Sequence, residues 1–164
     1  GNNINPSLYD KDTVNKENKS VSKDRDKTEL EVIKIAIERN LSLLGICRGM
    51  QMINVFFNGK ISLLEDHPPA NDHSIRFVKY KEIFGNNTNV NSYHNYGILT
   101  KNLSQQLLPL AKTEDKEIIE ALYHPKLPIL GIQWHPERKS PNKDINKRII
   151  ESFLNKELFW SLNR

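Results

Sequence analysis

The feature that most constrains this chain is a cysteine flanked by glycines, which lies between two different hydrophobic patterns. Residues 42–46 form a short apolar run typical of a buried strand, and a helical pattern begins directly after Cys47. Gly45 and Gly49 are predicted to permit a tight strand–turn–helix elbow in which a Cβ atom would clash. The thiol would then lie at a helix N-terminus, where backbone N–H groups favour the thiolate, so we expect Cys47 to be acidic.

A histidine and a carboxylate follow a second apolar run near the end of the chain. Residues 127–133 are predicted to form a strand, and His135 and Glu137 come after it. Taken alone, a single cysteine is usually a small buried hydrophobe, and most histidines are surface or satisfied core residues. Both motifs follow strands, however, and open α/β sheets place their chemistry beyond the carboxyl ends of strands. This agreement predicts a thiol hydrolase whose catalytic residues are Cys47, His135 and Glu137.

Five segments resemble, in the same order, motifs of the class I glutamine amidotransferase superfamily, and specifically of its stand-alone γ-glutamyl hydrolase branch. The nucleophile motif of the branch is matched nearly letter for letter by Gly-Ile-Cys-Arg-Gly-Met-Gln at residues 45–51. The other segments are the opening loop at residues 1–9, the helix start at 25–29, the Val-Asn-Ser loop at 90–96 and the Gln-Trp-His-Pro-Glu motif at 133–137.

The resemblance implies an α/β fold of the flavodoxin-like class I glutamine amidotransferase type. In this fold a mostly parallel central sheet is flanked by helices and carries a small antiparallel portion. The alternation of strand and helix patterns along the chain agrees with such a sheet. Residues 1–164 are interpreted as one domain that is incomplete at its N-terminus, because members of the branch precede the opening loop with further strands and a helix.

The resemblance also implies a role for each catalytic residue. Cys47 attacks the γ-carbonyl of a γ-glutamyl amide to form a thioester, and His135 accepts the thiol proton and later donates one to the leaving nitrogen. Glu137 orients the imidazole of His135. The backbone N–H groups of Arg48 and Gly1 are expected to form the oxyanion hole.

The substrate-binding residues are likewise implied by the resemblance. Gln51, one helical turn after Cys47, corresponds to the residue that holds the α-amino end of the substrate. The loop that recognises the α-carboxylate corresponds to Ser92, Tyr93, His94, Asn95 and Tyr96. For His94, a structural role in this loop is an equal alternative. Asn95 and Tyr96 replace the usual His-Gln of the branch, so the identity of the leaving group is left open.

Residue patterns predict the position of the main helices and strands. The predicted helices cover residues 26–39, 48–57 and 145–159, and the predicted strands cover residues 42–46, 75–80, 90–93, 118–122 and 129–133. Asp26 and Glu29 are expected to form a capping box, with Asn40 as the stop of that helix, and Asp144 is expected to cap the last helix. The predicted core residues of these two helices are Leu30, Ile33, Ile37, Ile149, Phe153 and Leu154.

Composition excludes several classes of protein. One cysteine cannot form an internal disulfide framework, which fits a reducing cytoplasm. Basic and acidic residues are interleaved despite a net charge of +4, so no nucleic-acid partner is expected. No apolar run reaches membrane-spanning length, so no membrane partner is expected either. No cofactor is expected, and no metal site is expected at His67, Asp72 and His73, which the resemblance places on a surface loop.

The expected function is hydrolysis of a small-molecule γ-glutamyl amide without an obligatory synthetase partner. The resemblance implies a nucleotide-linked substrate with a diphosphate, and the net positive charge of the chain and the lysines of residues 10–27 would suit such an anion. This segment is either a flap that attracts the anion or a solvated loop, and in the second case the substrate is a γ-glutamyl amine or peptide. The lysines concerned are Lys11, Lys16, Lys19 and Lys23.

Two further functions stand as alternatives. One is a glutaminase subunit that delivers ammonia to a synthetase partner, and the motifs around Arg48 and residues 91–92 resemble this branch less closely. The other is a non-catalytic binding module built on the same fold. The presence of Cys47, His135 and Glu137 together argues against a non-catalytic module.

Overall fold

The computed structural model describes residues 3–10, 21–64, 71–114 and 117–155. The helices in this part of the chain are α1 (Lys23–Glu38), α2 (Arg48–Phe56), α3 (Lys81–Phe84) and α4 (Lys143–Leu154). The strands are β1 (Leu43–Ile46), β2 (Ser62–Leu63), β3 (His73–Phe77), β4 (Asn87–Val90), β5 (Tyr96–Leu99), β6 (Leu108–Thr113), β7 (Ile118–Tyr123) and β8 (Ile129–Ile132). Short 3-10 helices lie at Pro6–Leu8 and Thr100–Asn102. None of the described helices is long and apolar enough to cross a bilayer.

The strands form one mixed sheet in the order β1-β8-β7-β6-β3-β4, with β5 paired to β7 and β2 paired to β5. The predicted α/β class is confirmed, but the expectation of mostly parallel pairing is wrong for the described strands, where only β1 and β8 pair in parallel. The reason is connectivity. Short connections join β6 to β7 and β7 to β8, and strands joined in this way pair antiparallel.

Apolar side chains cover both faces of the central strands. Every residue of β7 and β8 is buried, which is the pattern of strands covered by helices on both sides. One apolar cluster joins the sheet to α4 and includes the fully buried Trp134. A second cluster joins the sheet to α1 and α2 through residues such as Ile33, Met50 and Ile53. The loops beyond the strand ends therefore emerge from a sheet that is packed on both faces.

Helix α1 begins earlier than predicted. Its N-cap is Ser22 and its first residue is Lys23, so Asp26 and Glu29 lie inside the helix and do not form a capping box. The predicted stop is confirmed, because Asn40 adopts a φ of 50° just after the helix ends. The predicted core residue Ile33 is buried, and Leu30 and Ile37 pack against the same cluster.

Helix α4 is capped by a different residue from the one predicted. Its N-cap is Asn142, whose side chain accepts hydrogen bonds from the backbone N–H groups of Asp144 and Ile145, so the expectation that Asp144 is the cap is wrong. Ile149 is buried and Phe153 packs against the core, as predicted. Leu154 is exposed, which contradicts its assignment to the core. The part of the predicted helix at residues 156–159 lies outside the described residues.

The strand predictions are best where the apolar runs are long. β1, β7 and β8 match their predicted positions to within a residue or two. The strand predicted at residues 90–93 is wrong, because β4 ends at Val90 and the following residues leave the sheet. β2 and β5 were missed because they contain two and four residues, and β6 because Pro109 and Lys112 interrupt its apolar pattern.

Candidate active site

Cys47 occupies a strained elbow between β1 and α2. Its backbone has φ 51° and ψ −104°, and its N–H donates to the carbonyl oxygen of Ile132 at 2.8 Å. A Cβ added to Gly45 would lie 2.5 Å from Ile53 Cδ1 and 2.7 Å from the backbone of Gly49, so glycine is required at this position. A Cβ added to Gly49 would meet nothing within 4 Å, so the clash predicted for Gly49 is wrong.

Parallel pairing of β1 with β8 brings the two sequence motifs together. In the register, Gly45 lies opposite Gly131, so the residues that follow each strand emerge at the same edge of the sheet. Gln133, which is fully buried, extends its side chain along this edge and donates from Nε2 to Cys47 Sγ at 3.5 Å. Sequence reasoning missed Gln133 as a partner of the thiol, although the residue belongs to the final motif.

The environment of Cys47 does not make the thiol acidic. Burial raises the pKa of Cys47, and the hydrogen bond from the backbone N–H of Arg48, which acts in the opposite direction, does not outweigh it. The prediction of an acidic thiol is therefore wrong for the free protein. The same hydrogen bond places the Arg48 N–H beside the sulfur, where an oxyanion donor is needed. Gly1, the other predicted donor, lies outside the described residues.

His135 is held in place from two sides. Its Nδ1 lies 2.6 Å from Glu137 Oε1. The side chain of Asn91 accepts from the backbone N–H of His135 at 2.8 Å and donates to the carbonyl oxygens of His135 and Lys139, at 2.8 and 2.9 Å. Asn91 is buried and was not predicted as a site residue, although it belongs to the Val-Asn-Ser motif. Its side chain fixes the backbone that carries the histidine.

Glu137 determines which nitrogen of His135 can act as a base. Burial, the largest single influence, acts to raise the pKa of Glu137, but the hydrogen bond from His135 together with a backbone hydrogen bond and the nearby charges of His135 and Arg138 outweighs it, so the pKa is lowered and the carboxylate form is favoured. A carboxylate only accepts, so Nδ1 of His135 carries the proton. Nε2 is then left with the lone pair that a general base requires.

A cavity of about 550 Å³ contains most of the predicted site. Cys47 and His135 both line it. So do five of the predicted substrate-binding residues, namely Gln51, Tyr93, His94, Asn95 and Tyr96. Ser92 is buried and is not among the lining residues, so the structure does not place it with the others.

Gln51 links α2 to the loop at residues 92–96. Its Nε2 donates to the carbonyl oxygen of Tyr96 at 2.8 Å and to Gln133 Oε1 at 3.2 Å. Because these contacts use the amide N–H groups of Gln51, its orientation in the cavity wall is fixed. The amide oxygen is the part of this side chain that is chemically suited to accept from a substrate ammonium group.

The side chain of Arg48 has a structural position. It is buried, donates to Asp26 Oδ1 at 2.5 Å, and forms a second ion pair with Glu29. Asp26 Oδ2 also accepts from the backbone N–H of Asn5 at 3.2 Å. The two acidic residues that looked like a capping box in the sequence therefore join α1, α2 and the opening loop.

A buried carboxylate lies close to the loop at residues 92–96. Glu120 in β7 is fully buried, and its Oε1 lies 3.4 Å from His73 Nε2 and 3.9 Å from His94 Nε2. Nδ1 of His94 lies 3.0 Å from the carbonyl oxygen of Tyr96, so Nδ1 is the donor. Burial lowers the pKa of His94 although Glu120 acts to raise it. His73 is the first residue of β3, so the expectation that it lies on a surface loop before the strand is wrong.

Comparisons with known proteins agree with this geometry. The Peptidase C26 family model matches residues 1–137. The chain is 42% identical over 120 residues to the γ-glutamyl-CDP-amidate hydrolase of Campylobacter jejuni, an alignment that covers 73% of this chain and 54% of that protein. It is 32% identical over 146 residues to a candidate glutamine amidotransferase-like protein of Lactococcus lactis, with 80% of this chain and 61% of that protein covered.

A solved structure shares the fold. A protein from Thermoplasma acidophilum, described as a candidate GMP synthase subunit, superposes with a TM-score of 0.64 and 25% identity, over 80% of this chain and 65% of that chain. The chain thus spans about half to two thirds of the length of these relatives. The family match covers well over half of the chain, including the cysteine elbow and the His-Pro-Glu motif. The chain therefore belongs to the Peptidase C26 family, within the class I glutamine amidotransferase-like proteins.

Proposed function

We propose that the protein hydrolyses a γ-glutamyl amide through a thioester on Cys47 and releases glutamate. The observation that carries this proposal is one cavity lined by a cysteine on a strained elbow and by a histidine whose Nδ1 is held by a carboxylate. Cys47, His135 and Glu137 would then act as the nucleophile, the general base and the orienting group that acyl transfer requires.

In the first step, Cys47 Sγ attacks the γ-carbonyl carbon while His135 Nε2 takes the thiol proton. The raised pKa of the thiol means that the proton must be removed as the sulfur attacks, which makes the base essential. The backbone N–H of Arg48 stabilises the negative charge on the carbonyl oxygen. The C–N bond then breaks, and His135 donates its proton to the leaving nitrogen.

In the second step, water attacks the thioester. His135 takes a proton from the water, the C–S bond breaks, and the proton returns to the sulfur as glutamate leaves. Glu137 balances the positive charge that His135 carries in both steps. Gln51 and the loop at residues 93–96 hold the glutamyl group, so that the γ-carbonyl rather than another carbonyl faces the sulfur.

The proposed substrate is γ-glutamyl-CDP-amidate. It is supported by the 42% identity to a hydrolase named for that compound, together with the basic character of the cavity. Hydrolysis would release glutamate and cytidine diphosphoramidate, an activated phosphoramidate suited to capsule modification. A reducing, cytoplasmic setting is proposed as well, because the mechanism needs a free thiol.

The test is glutamate release by the full chain from γ-glutamyl-CDP-amidate, γ-glutamyl-aminobutyrate, a γ-glutamyl dipeptide and glutamine. We expect turnover of at least one γ-glutamyl amide, with the nucleotide substrate preferred in kcat/KM. Cys47→Ala should abolish release, while Lys139→Met, an exposed neighbour of the site, serves as the matched control. Turnover that survives in Cys47→Ala would exclude the thioester mechanism.

A glutaminase subunit that delivers ammonia to a synthetase is the second candidate function. It is favoured by the structural similarity to a candidate GMP synthase subunit. In that case glutamine would be the preferred substrate, and the isolated chain would be nearly inactive until a synthetase is added. Partner-free turnover of a γ-glutamyl amide other than glutamine would decide against this candidate.

A further inference from the structure

The active-site cavity has a buried end and an exposed end. Gln51 and His94 are each only 6% exposed, whereas Tyr93 is 38% exposed and Arg138 is an exposed residue on the loop after His135. Cys47 is of intermediate exposure. If the glutamyl group occupies the buried end beside Gln51, the bond that Cys47 cleaves lies between the two ends. The group released from the amide then faces the exposed end.

The lining of the cavity is positively charged. Three arginines line it, and no aspartate or glutamate is among the described residues that do so. Two of the arginines already form ion pairs. Arg25 Nε lies 2.8 Å from Glu29 Oε1, and the guanidinium of Arg48 is paired with Asp26 and Glu29. Arg138 makes no ion pair with a carboxylate in the described part of the chain. Among the arginines of the described lining, it is therefore the one whose charge remains open to a ligand.

Tyr93 fixes where this charge lies. The guanidinium carbon of Arg138 stands 4.5 Å from the centroid of the Tyr93 ring, in cation–π geometry. The same ring meets the imidazole of His135 edge to face, with the centroids 5.6 Å apart. The stack therefore sets a preoriented guanidinium next to the catalytic base. A guanidinium so placed binds phosphate through paired N–H donors, which an ammonium group cannot match.

We propose that Arg138, held over Tyr93, binds a phosphate of the leaving group at the exposed end of the cavity. The inference rests on the proposed γ-glutamyl hydrolase function and specifies its substrate class as amides whose leaving group carries phosphate. It also assigns the recognition of the anion to an arginine next to the catalytic motif. The lysine flap expected from the sequence is not needed for this, and Lys11, Lys16 and Lys19 lie outside the described residues, while Lys23 begins α1.

The decisive variant is Arg138→Met, which keeps the length of the side chain and removes the charge. Arg138→Lys keeps a charge without the paired donors, and Lys139→Met removes a neighbouring exposed charge that does not line the cavity. Each protein is assayed with γ-glutamyl-CDP-amidate and with γ-glutamylethylamide, which has no net charge and an uncharged leaving group. We expect Arg138→Met to lower kcat/KM for the nucleotide substrate by about 10- to 100-fold, the range of a charged hydrogen bond, mainly through KM.

With the neutral substrate, Arg138→Met should stay within about twofold of the unmodified protein, because only the phosphate contact is lost. With the nucleotide substrate, kcat/KM of Arg138→Lys should lie between the values of Arg138→Met and the unmodified protein. Lys139→Met should match the unmodified protein with both substrates. An equal loss with both substrates would show that Arg138 merely supports the loop of His135, and the subsite would be rejected. If Arg138→Met left kcat/KM for the nucleotide substrate unchanged, the phosphate subsite would also be rejected.

A binding measurement separates this inference from the proposed reaction. Cytidine diphosphate is titrated calorimetrically into the Cys47→Ala protein with and without Arg138→Met. Binding that weakens about tenfold or more with Arg138→Met supports the subsite, even if no γ-glutamyl amide is turned over and the proposed reaction fails. Equal binding by the two proteins, or no binding by either, overturns the subsite and leaves γ-glutamyl hydrolysis to be judged by glutamate release alone.

Discussion

At the scale of single residues, the backbone of Cys47 links stability to chemistry. A positive φ at a residue with a Cβ costs about 1–2 kcal/mol, and this conformation places the sulfur beyond the end of β1 at the first turn of α2. Gly45 makes the turn sterically feasible, because a side chain there would collide with Ile53 and the backbone of Gly49. The strain is therefore a cost of exposing the Cys47 sulfur to the cavity.

We expect Cys47→Gly to be more stable than Cys47→Ala. Glycine relieves about 1–2 kcal/mol of backbone strain, although it adds about 0.4–1 kcal/mol of entropy to the unfolded chain. Both variants should lose activity by roughly four orders of magnitude, because the thiol acts as a unit with His135 and Glu137. Urea unfolding and glutamate release measure the two effects. If Cys47→Ala were clearly more stable than Cys47→Gly, the backbone strain inferred at this position would be contradicted.

The raised pKa of Cys47 predicts how the free protein reacts with iodoacetamide. The thiolate is the reactive form, so the rate of alkylation should keep rising with pH beyond the ordinary pKa of a cysteine thiol. Glu137→Gln should change this profile little, because it is burial that sets the pKa of the thiol. A rate that is already on a plateau near neutral pH would indicate an acidic thiol and contradict the effect of burial.

The residues that sequence analysis found and those it missed differ in how they act. Cys47, His135 and Glu137 were recognisable because they belong to short motifs at strand ends. Gln133 belongs to the motif of His135, and Asn91 belongs to the Val-Asn-Ser motif, but their roles depend on contacts across 86 and 44 positions of the chain, which no local pattern records. Glu120 was missed for a different reason, since an acidic residue within an apolar strand gives no sign of the histidines it will face.

At the scale of elements, the buried ion pairs of Arg48 join α1 to α2. Arg48 and Asp26 are both buried, and Asp26 also receives the backbone N–H of Asn5. These contacts tie the opening loop and α1 to the first turn of α2. A spacing that resembles a capping box thus serves a tertiary contact, which is why the start of α1 was predicted at the wrong residue.

Arg48→Met should destabilise the protein by about 3–5 kcal/mol, because it leaves Asp26 buried without its cation. Adding Asp26→Leu to Arg48→Met should restore part of this loss, since the stranded carboxylate is removed. Chemical unfolding measures both changes. Arg48→Met keeps the backbone N–H beside Cys47, so any loss of kcat in the folded fraction should be far smaller than in Cys47→Ala. A double variant that is no more stable than Arg48→Met would argue against the buried pair.

At the scale of the whole molecule, the pairing of distant strands creates the site. β1 and β8 are separated by most of the described chain, yet they lie side by side in parallel, and their ends bring Cys47 next to Gln133. The α/β class was predictable because β1, α2, β7 and β8 have strong local patterns. The strand order was not predictable from the sequence. Short strands such as β2 and β5 form only by packing against the rest of the sheet, and the antiparallel pairings depend on the same packing.

The charge of the whole molecule and of the cavity predicts a dependence on salt. The chain has a net charge of +4, and the described lining of the cavity contains arginines without carboxylates, so an anionic substrate should be attracted to the site. Raising the ionic strength from about 0.01 to 0.15 M shortens the screening length from about 30 to 8 Å. We therefore expect kcat/KM for γ-glutamyl-CDP-amidate to fall across this range, while that for γ-glutamylethylamide, which has no net charge, stays nearly constant. Arg138→Met should flatten the slope for the nucleotide substrate, whereas Lys139→Met should reduce it only slightly. Equal slopes for the two substrates in the unmodified protein would show that the positive charge of the cavity plays no part in substrate capture.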